Sequence, residues 1–143
     1  NQPDREGRII VPHTLVWTGL RWHVRGWCEK NQDYRDFVLS RFRGEPELLN
    51  ASDHTGASDD DWHTLVTIQI APDSRLTADQ QAVVAHDYGM TDGKWQLPVR
   101  AKLLPYLLQL LRLDPTQVTE NPRAQQIVIV NQADIETWLF PSR

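Results

Sequence analysis

Cysteine is all but missing from this chain: Cys28 stands alone among 143 residues. A lone thiol excludes a framework of internal disulfides and fits a reducing compartment, so the expected location is the cytoplasm. Long apolar runs are missing as well. The most continuous one, Leu103 to Leu113, is interrupted by Pro105, Gln109 and Arg112 and is far shorter than the ~20 residues that cross a bilayer. There is no internal repeat and no low-complexity tract. The chain opens on Asn1 rather than Met and reads as part of a longer polypeptide. Positive charge is in short supply, with 15 Lys and Arg against 19 Asp and Glu for a net charge of −4. That balance argues against a surface that holds duplex DNA by overall positive potential.

What is present is unevenly placed. With 40% hydrophobic and 24% charged residues the composition is that of a soluble globular protein, yet residues 21–43, RWHVRGWCEKNQDYRDFVLSRFR, gather six Arg or Lys, one His and five aromatic rings against three acids. A local basic face on an acidic body suits a compact anionic ligand, a phosphate or a short oligonucleotide, better than a long duplex.

The pattern divides the chain at 1–59 and 60–143. In the first part Arg8 to Trp17 reads as a strand that Pro12 confines to an edge or a bulge, and Thr18-Gly19 is a turn signal. Arg21 to Cys28 alternates, with Trp22 and Val24 on one side and His23, Arg25 and Trp27 on the other. Tyr34 to Phe42 returns as its hairpin partner. Several short antiparallel strands at this spacing predict a small barrel or sandwich. Residues 50–61, NASDHTGASDDD, carry no large apolar side chain and read as a loop. Beyond it come a strand from Trp62 to Ile70, a helix opened by the capping box Thr77-Ala78-Asp79-Gln80 and ended by Gly89, a strand from Trp95 to Val99, a leucine-rich helix from Ala101 to Leu113, a strand from Gln126 to Val130 and a short terminal helix from Ala133 to Leu139. The fold class is α+β, a β module followed by a compact α/β extension. The leucine-rich helix is apolar nearly all round, which requires contacts on more than one side. Its own sheet can supply some, and a second subunit can supply others.

Arginine's planar fork gives two parallel hydrogen bonds to a phosphate, and an aromatic ring offers a face on which a base stacks. His23 and Arg25 share one strand face, while Arg35, Phe37 and Arg41 share a parity on the next strand, so two neighbouring strands can gather forks and a ring on one patch. His13 adds a donor at its rim. Arg21, Lys30 and Arg43 read as solubilising charges, and Trp22, Val24, Val38 and Leu39 as core. An arginine in mid-strand that does not meet a ligand needs an acid to pair with, Asp33, Asp36 or another. Metal binding is not expected, because Cys28, His13, His23, His54 and His63 show none of the paired spacings that close a zinc site. Ser40 near His13 or His23 lacks a nucleophile elbow, so no catalytic residue is assigned. The run Asp59-Asp60-Asp61 reads as a solvated loop.

The stretch IIVPHTLVWTGLRWHVRGWCEKNQDYRDFVLSRF resembles the core of a WYL domain, with Trp22-His23-Val24 in the place of the name-giving triplet. It is most similar to the regulators associated with phage-defence islands, and HDYGMTDGKWQLPVRAKLLPYLLQLLRLD is similar to the extension that follows the WYL domain in them. The resemblance implies an Sm-like or SH3-like β-barrel that senses a nucleotide or nucleic-acid ligand, then an α/β extension for homodimerisation. It also implies a winged helix-turn-helix that binds operator DNA, usually in a repressor. In the family the barrel has a further strand before the segment that opens this chain, so a fragment starting inside the barrel is expected. Carried over by position, the ligand-facing residues are His13, Trp22, His23, Arg25, Arg35, Phe37, Ser40 and Arg41. The expected function is a non-enzymatic sensing and dimerisation segment without a cofactor. The alternatives are a nuclease or phosphodiesterase using His13 and His23, and a purely structural oligomerisation module.

Overall fold

The computed structural model describes residues 7–116 and 118–139. The chain divides into two compact units with the boundary between His63 and Thr64. The outermost residues of the two expected domains, 1–6 and 140–143, lie outside the described residues.

In the first unit β1 (Ile10–Trp17), β2 (Trp22–Cys28) and β3 (Asp33–Val38) form an antiparallel sheet in the order β1-β2-β3. Gly19 takes the positive φ (+93°) that the first turn requires. Pro12 lies in an edge strand, as its missing N–H dictates, and the β1–β2 register shifts between Pro12 and Thr14, leaving His13 as the extra residue of a bulge. Opposite Pro12 stands Gly26, where a Cβ would lie 2.6 Å from the Val11 carbonyl oxygen and 2.8 Å from Pro12 Cα. In β2, His23, Val24, Arg25 and Gly26 are all buried, so this strand is covered on both faces.

Two expectations are corrected here, and a third is met in part. Among the described residues the strands of the first unit make an open three-stranded sheet with no closed barrel. The strand expected to reach Phe42 stops at Val38, where pairing with β2 runs out at His23↔Val38. The backbone closes on itself there instead, Phe42 N–H donating to Leu39 O at 3.1 Å, so residues 39–41 form a 3₁₀ turn. Trp62, expected on a strand, sits buried in a single helical turn, α1 (Asp60–His63), because the Asp59 carboxylate accepts from its N–H at 3.3 Å.

In the second unit the sheet order is β5-β4-β6, with β4 (Leu65–Pro72) central, β5 (Trp95–Arg100) and β6 (Ile127–Ile129) antiparallel to it. The capping box forms as read: Thr77 Oγ1 accepts from Gln80 N–H at 3.2 Å and Gln80 Oε1 accepts from Thr77 N–H at 2.9 Å, opening α2 (Ala78–Asp87). Gly89 closes that helix with φ +63°, Met90 N–H reaching back to Ala85 O at 2.8 Å. The leucine-rich segment is a 3₁₀ turn at Ala101–Leu103 followed by α3 (Leu104–Leu110), with Pro105 in the first helical turn, where its missing N–H costs nothing. A last turn, α4 (Gln132–Ile135), precedes a 3₁₀ turn at Glu136–Trp138. One core joins Ile68, Ile70, Leu76, Val84, Leu104, Leu108, Ile127, Ile135 and Leu139. Leu110, on the far side of α3, remains 62% exposed.

Candidate functional site

Residues opposite one another in an antiparallel pair project to the same side, so the register decides which side chains can meet. Trp17↔Trp22, Leu15↔Val24, Val24↔Phe37 and Gly26↔Arg35 define one face of the first sheet; Val16↔His23, His23↔Val38, Thr14↔Arg25, Arg25↔Asp36 and Trp27↔Tyr34 define the other. The single patch expected from strand parity is therefore divided. Trp22, Arg35 and Phe37 stand on one face, His23 and Arg25 on the other, His13 in the bulge, and Ser40 and Arg41 on the 3₁₀ turn beyond β3.

The Arg25 face is occupied by the protein itself. Arg25, only 3% exposed, donates from Nε to Asp59 Oδ2 at 2.7 Å and from its NH2 group to Oδ1 at 2.9 Å. Its other terminal nitrogen lies 3.6 Å from Asp36 Oδ1. Asp59 is 1% exposed, and its Oδ2 lies 2.9 Å from His13 Nε2 while His13 Nδ1 lies 2.7 Å from Thr14 Oγ1. Burial by itself would raise the Asp59 pKa, but the hydrogen bonds from Arg25 and His13, the charge of Arg25 and the Trp62 N–H outweigh it and hold this carboxyl below its ordinary range. Burial likewise works against the Arg25 charge, and its bonds to Asp59 with the fields of Asp36, Asp59 and Asp61 raise its pKa overall.

By its sequence Asp59 belongs to an acidic run that reads as a solvated loop. Its burial corrects that reading, and the signal available in the sequence was the need of a mid-strand arginine for an acid. The segment that carries it, residues 54–63, lies along the sheet: Tyr34 donates its hydroxyl to Thr55 O at 2.6 Å, His54 stacks on Trp27 at 3.9 Å between ring centroids, and a His63 ring nitrogen lies 2.8 Å from Gly56 O. Gly56 passes so close to His13 that a Cβ there would lie 3.0 Å from the imidazole.

His23 is buried, and that burial, with Arg21 and Arg41 adding to it against the opposing pull of Asp36, lowers its pKa. Both effects disfavour the charged imidazolium. Arg35 pairs with Asp33 at 2.8 Å, both about half exposed, a contact worth little. Arg21 and Arg41 are exposed and make no ion pair among the described residues. Trp22, assigned by parity to the core, is 47% exposed with its ring 5.4 Å from that of the 55% exposed Trp17. Leu15, Val24, Ile10, Pro12 and Phe42 line an apolar hollow with His13 and Thr14. Among the described residues no group of three His, Cys, Asp or Glu is placed to share a metal ion, and no helix is long and apolar enough to cross a membrane.

Fold and site together define a two-module chain: a small sheet whose buried arginine is satisfied by its own carboxylate, then a unit built around one sheet and one continuous core. Residues 1–44 match the WYL domain, and residues 65–135 match the C-terminal dimerization domain of the BrxR transcriptional regulator. The chain belongs to the WYL-domain transcription regulators that carry this C-terminal dimerization domain. It is similar to proteins named DNA-binding transcriptional repressor CapW, at 33% identity over 141 residues in Stenotrophomonas maltophilia, 36% over 139 in Escherichia coli and 33% over 136 in Pseudomonas aeruginosa. These alignments take in 99%, 97% and 94% of this chain but 47%, 46% and 44% of the relatives. The chain thus spans about half the length of the curated relatives it matches.

Proposed function

We propose that this chain is the sensing and dimerisation segment of a cytoplasmic, non-enzymatic WYL-type repressor with a role in phage defence, and that a winged helix-turn-helix elsewhere in the protein contacts the operator. The observation that carries this reading is the tandem order of the two family matches across one chain. The relatives' name supports repression. The second unit makes a homodimer, and the incompletely covered α3, with Leu110 open to solvent, is consistent with a second copy. The antiparallel order β1-β2-β3 with its bulge at His13 supports reading the first sheet as one wall of an Sm-like barrel.

The ligand is an anionic, ring-bearing molecule of nucleotide type. Its first contacts are Trp22, Phe37, Ser40 and Arg41: Trp22 supplies an exposed ring and Arg41 a cation that no described acid neutralises. Arg35 flanks this face, whereas His13, His23 and Arg25 lie inside. Binding that favours one arrangement of the dimer then shifts operator affinity by linkage. His13 is a poor acid or base for a phosphodiesterase, since both its ring nitrogens are already engaged. Calorimetric titration with nucleotides and short single-stranded oligonucleotides tests the reading. Saturable binding without product is expected, weakened at least tenfold by Trp22→Ala or Arg41→Ala with unchanged circular dichroism. Unaltered affinity in both variants, or turnover, contradicts it.

A further inference from the structure

The Asp59 carboxylate receives what an oxyanion ligand would receive. Both its oxygens meet the Arg25 fork, at 2.7 and 2.9 Å, and one of them also meets His13 at 2.9 Å. Arginine forks bind carboxylate and phosphate in the same two-point geometry, so the cradle is selective for the shape and charge of an oxyanion rather than for aspartate. The group that fills it comes from a segment whose other contacts with the sheet are the Tyr34 bond to Thr55 O, the His54 stack on Trp27 and the approach of Gly56 to His13. From residue 45 to residue 58 no side chain is buried, and such polar, sparsely packed stretches open most readily. Trp62, 5% exposed, anchors the far end of the segment. If Asp59 leaves, Arg25 is uncovered together with His13, Tyr34 and Trp27, rings that His54, Thr55 and Gly56 now cover.

We infer that residues 54–59 form an autoinhibitory strap whose Asp59 carboxylate fills an oxyanion site made by Arg25 and His13, a site that takes a phosphate group when the strap is displaced. A phosphate there would exchange one anion for another against the same donors, so that the buried arginine is never left unpaired. This goes beyond the ligand reading above, and it stands whether or not Trp22 and Arg41 bind anything, because its donors lie on the other face of the sheet.

Chemical rescue of the whole chain tests it, with inorganic phosphate as the probe. Asp59→Ala opens a carboxylate-sized gap beside Arg25 and should melt well below the unaltered chain in chloride. Phosphate at matched ionic strength should restore much of that loss, and the gain should vanish in Asp59→Ala combined with Arg25→Met. Asp59→Asn, which keeps the shape and removes the charge, serves if the alanine variant fails to fold. Phosphorus NMR should show binding at least tenfold tighter in the variant than in the unaltered chain. In the unaltered chain, saturating phosphate should speed proteolytic cleavage within residues 45–58. Stabilisation by phosphate that persists without Arg25, or no effect of phosphate on melting, NMR and cleavage alike, overturns the inference.

Discussion

Arg25→Met is expected to lower the stability of the first unit by about 3–5 kcal/mol, the cost of breaking a buried pair by removing one partner. The substitution keeps most of the apolar stem but leaves the Asp59 carboxylate, 1% exposed, with only His13 and the Trp62 N–H to satisfy it. Urea unfolding followed by tryptophan fluorescence reports on this unit, which holds Trp17, Trp22, Trp27 and Trp62. Removing both partners, Arg25→Met with Asp59→Leu, should recover most of the loss, since no charge is then stranded. A single-variant loss under ~1 kcal/mol, the range of exposed pairs, would mean that the pair is open to water. Acid provides an independent measure of the same pair. The folded pKa of Asp59 is depressed, so the contribution is present above the unfolded value of ~3.9 and is lost as pH falls through the folded pKa. That part of the acid loss should be absent in Arg25→Met.

Gly26→Ala should cost toward the upper end of the ~1–3 kcal/mol typical of overpacking, or exceed it. The reason is the identity of the atoms it meets. The new methyl would stand 2.6 Å from Val11 O, 2.8 Å from Pro12 Cα and 3.0 Å from Val11 C, all backbone, with no rotamer available to yield. Relief requires the bulge at His13 to open, and that moves His13 away from Asp59, so the two sites are coupled. A double-mutant cycle between Gly26→Ala and His13→Ala should give a coupling of about 0.5 kcal/mol or more. Unfolding midpoints of Gly26→Ala and of the parent that coincide would show that the two backbones do not approach as described.

Much of this architecture was legible because its causes are local. The Thr77–Gln80 box, Gly89 at a positive φ, Pro105 in a first helical turn and Pro12 in an edge strand each follow from the chemistry of one or two neighbouring residues. Alternation in β2 was legible too, but not what would cover either side: Trp22 emerged half exposed while His23 and Arg25 were buried. The decisive residue, Asp59, lies 34 positions from Arg25 in a stretch whose polarity reads as solvated, and no period or motif announces a pairing over that distance. The end of β3 was lost for a related reason. Its alternation continues past Val38, yet the partner strand does not.

Behind these particulars stands the claim that the second unit joins two copies of the chain and so lets events in the first unit be felt by a dimer. Sedimentation equilibrium of the 143-residue chain over a hundredfold concentration range tests it most directly. The account predicts a single species of twice the chain mass at micromolar concentration. A species of one chain mass throughout that range would contradict it.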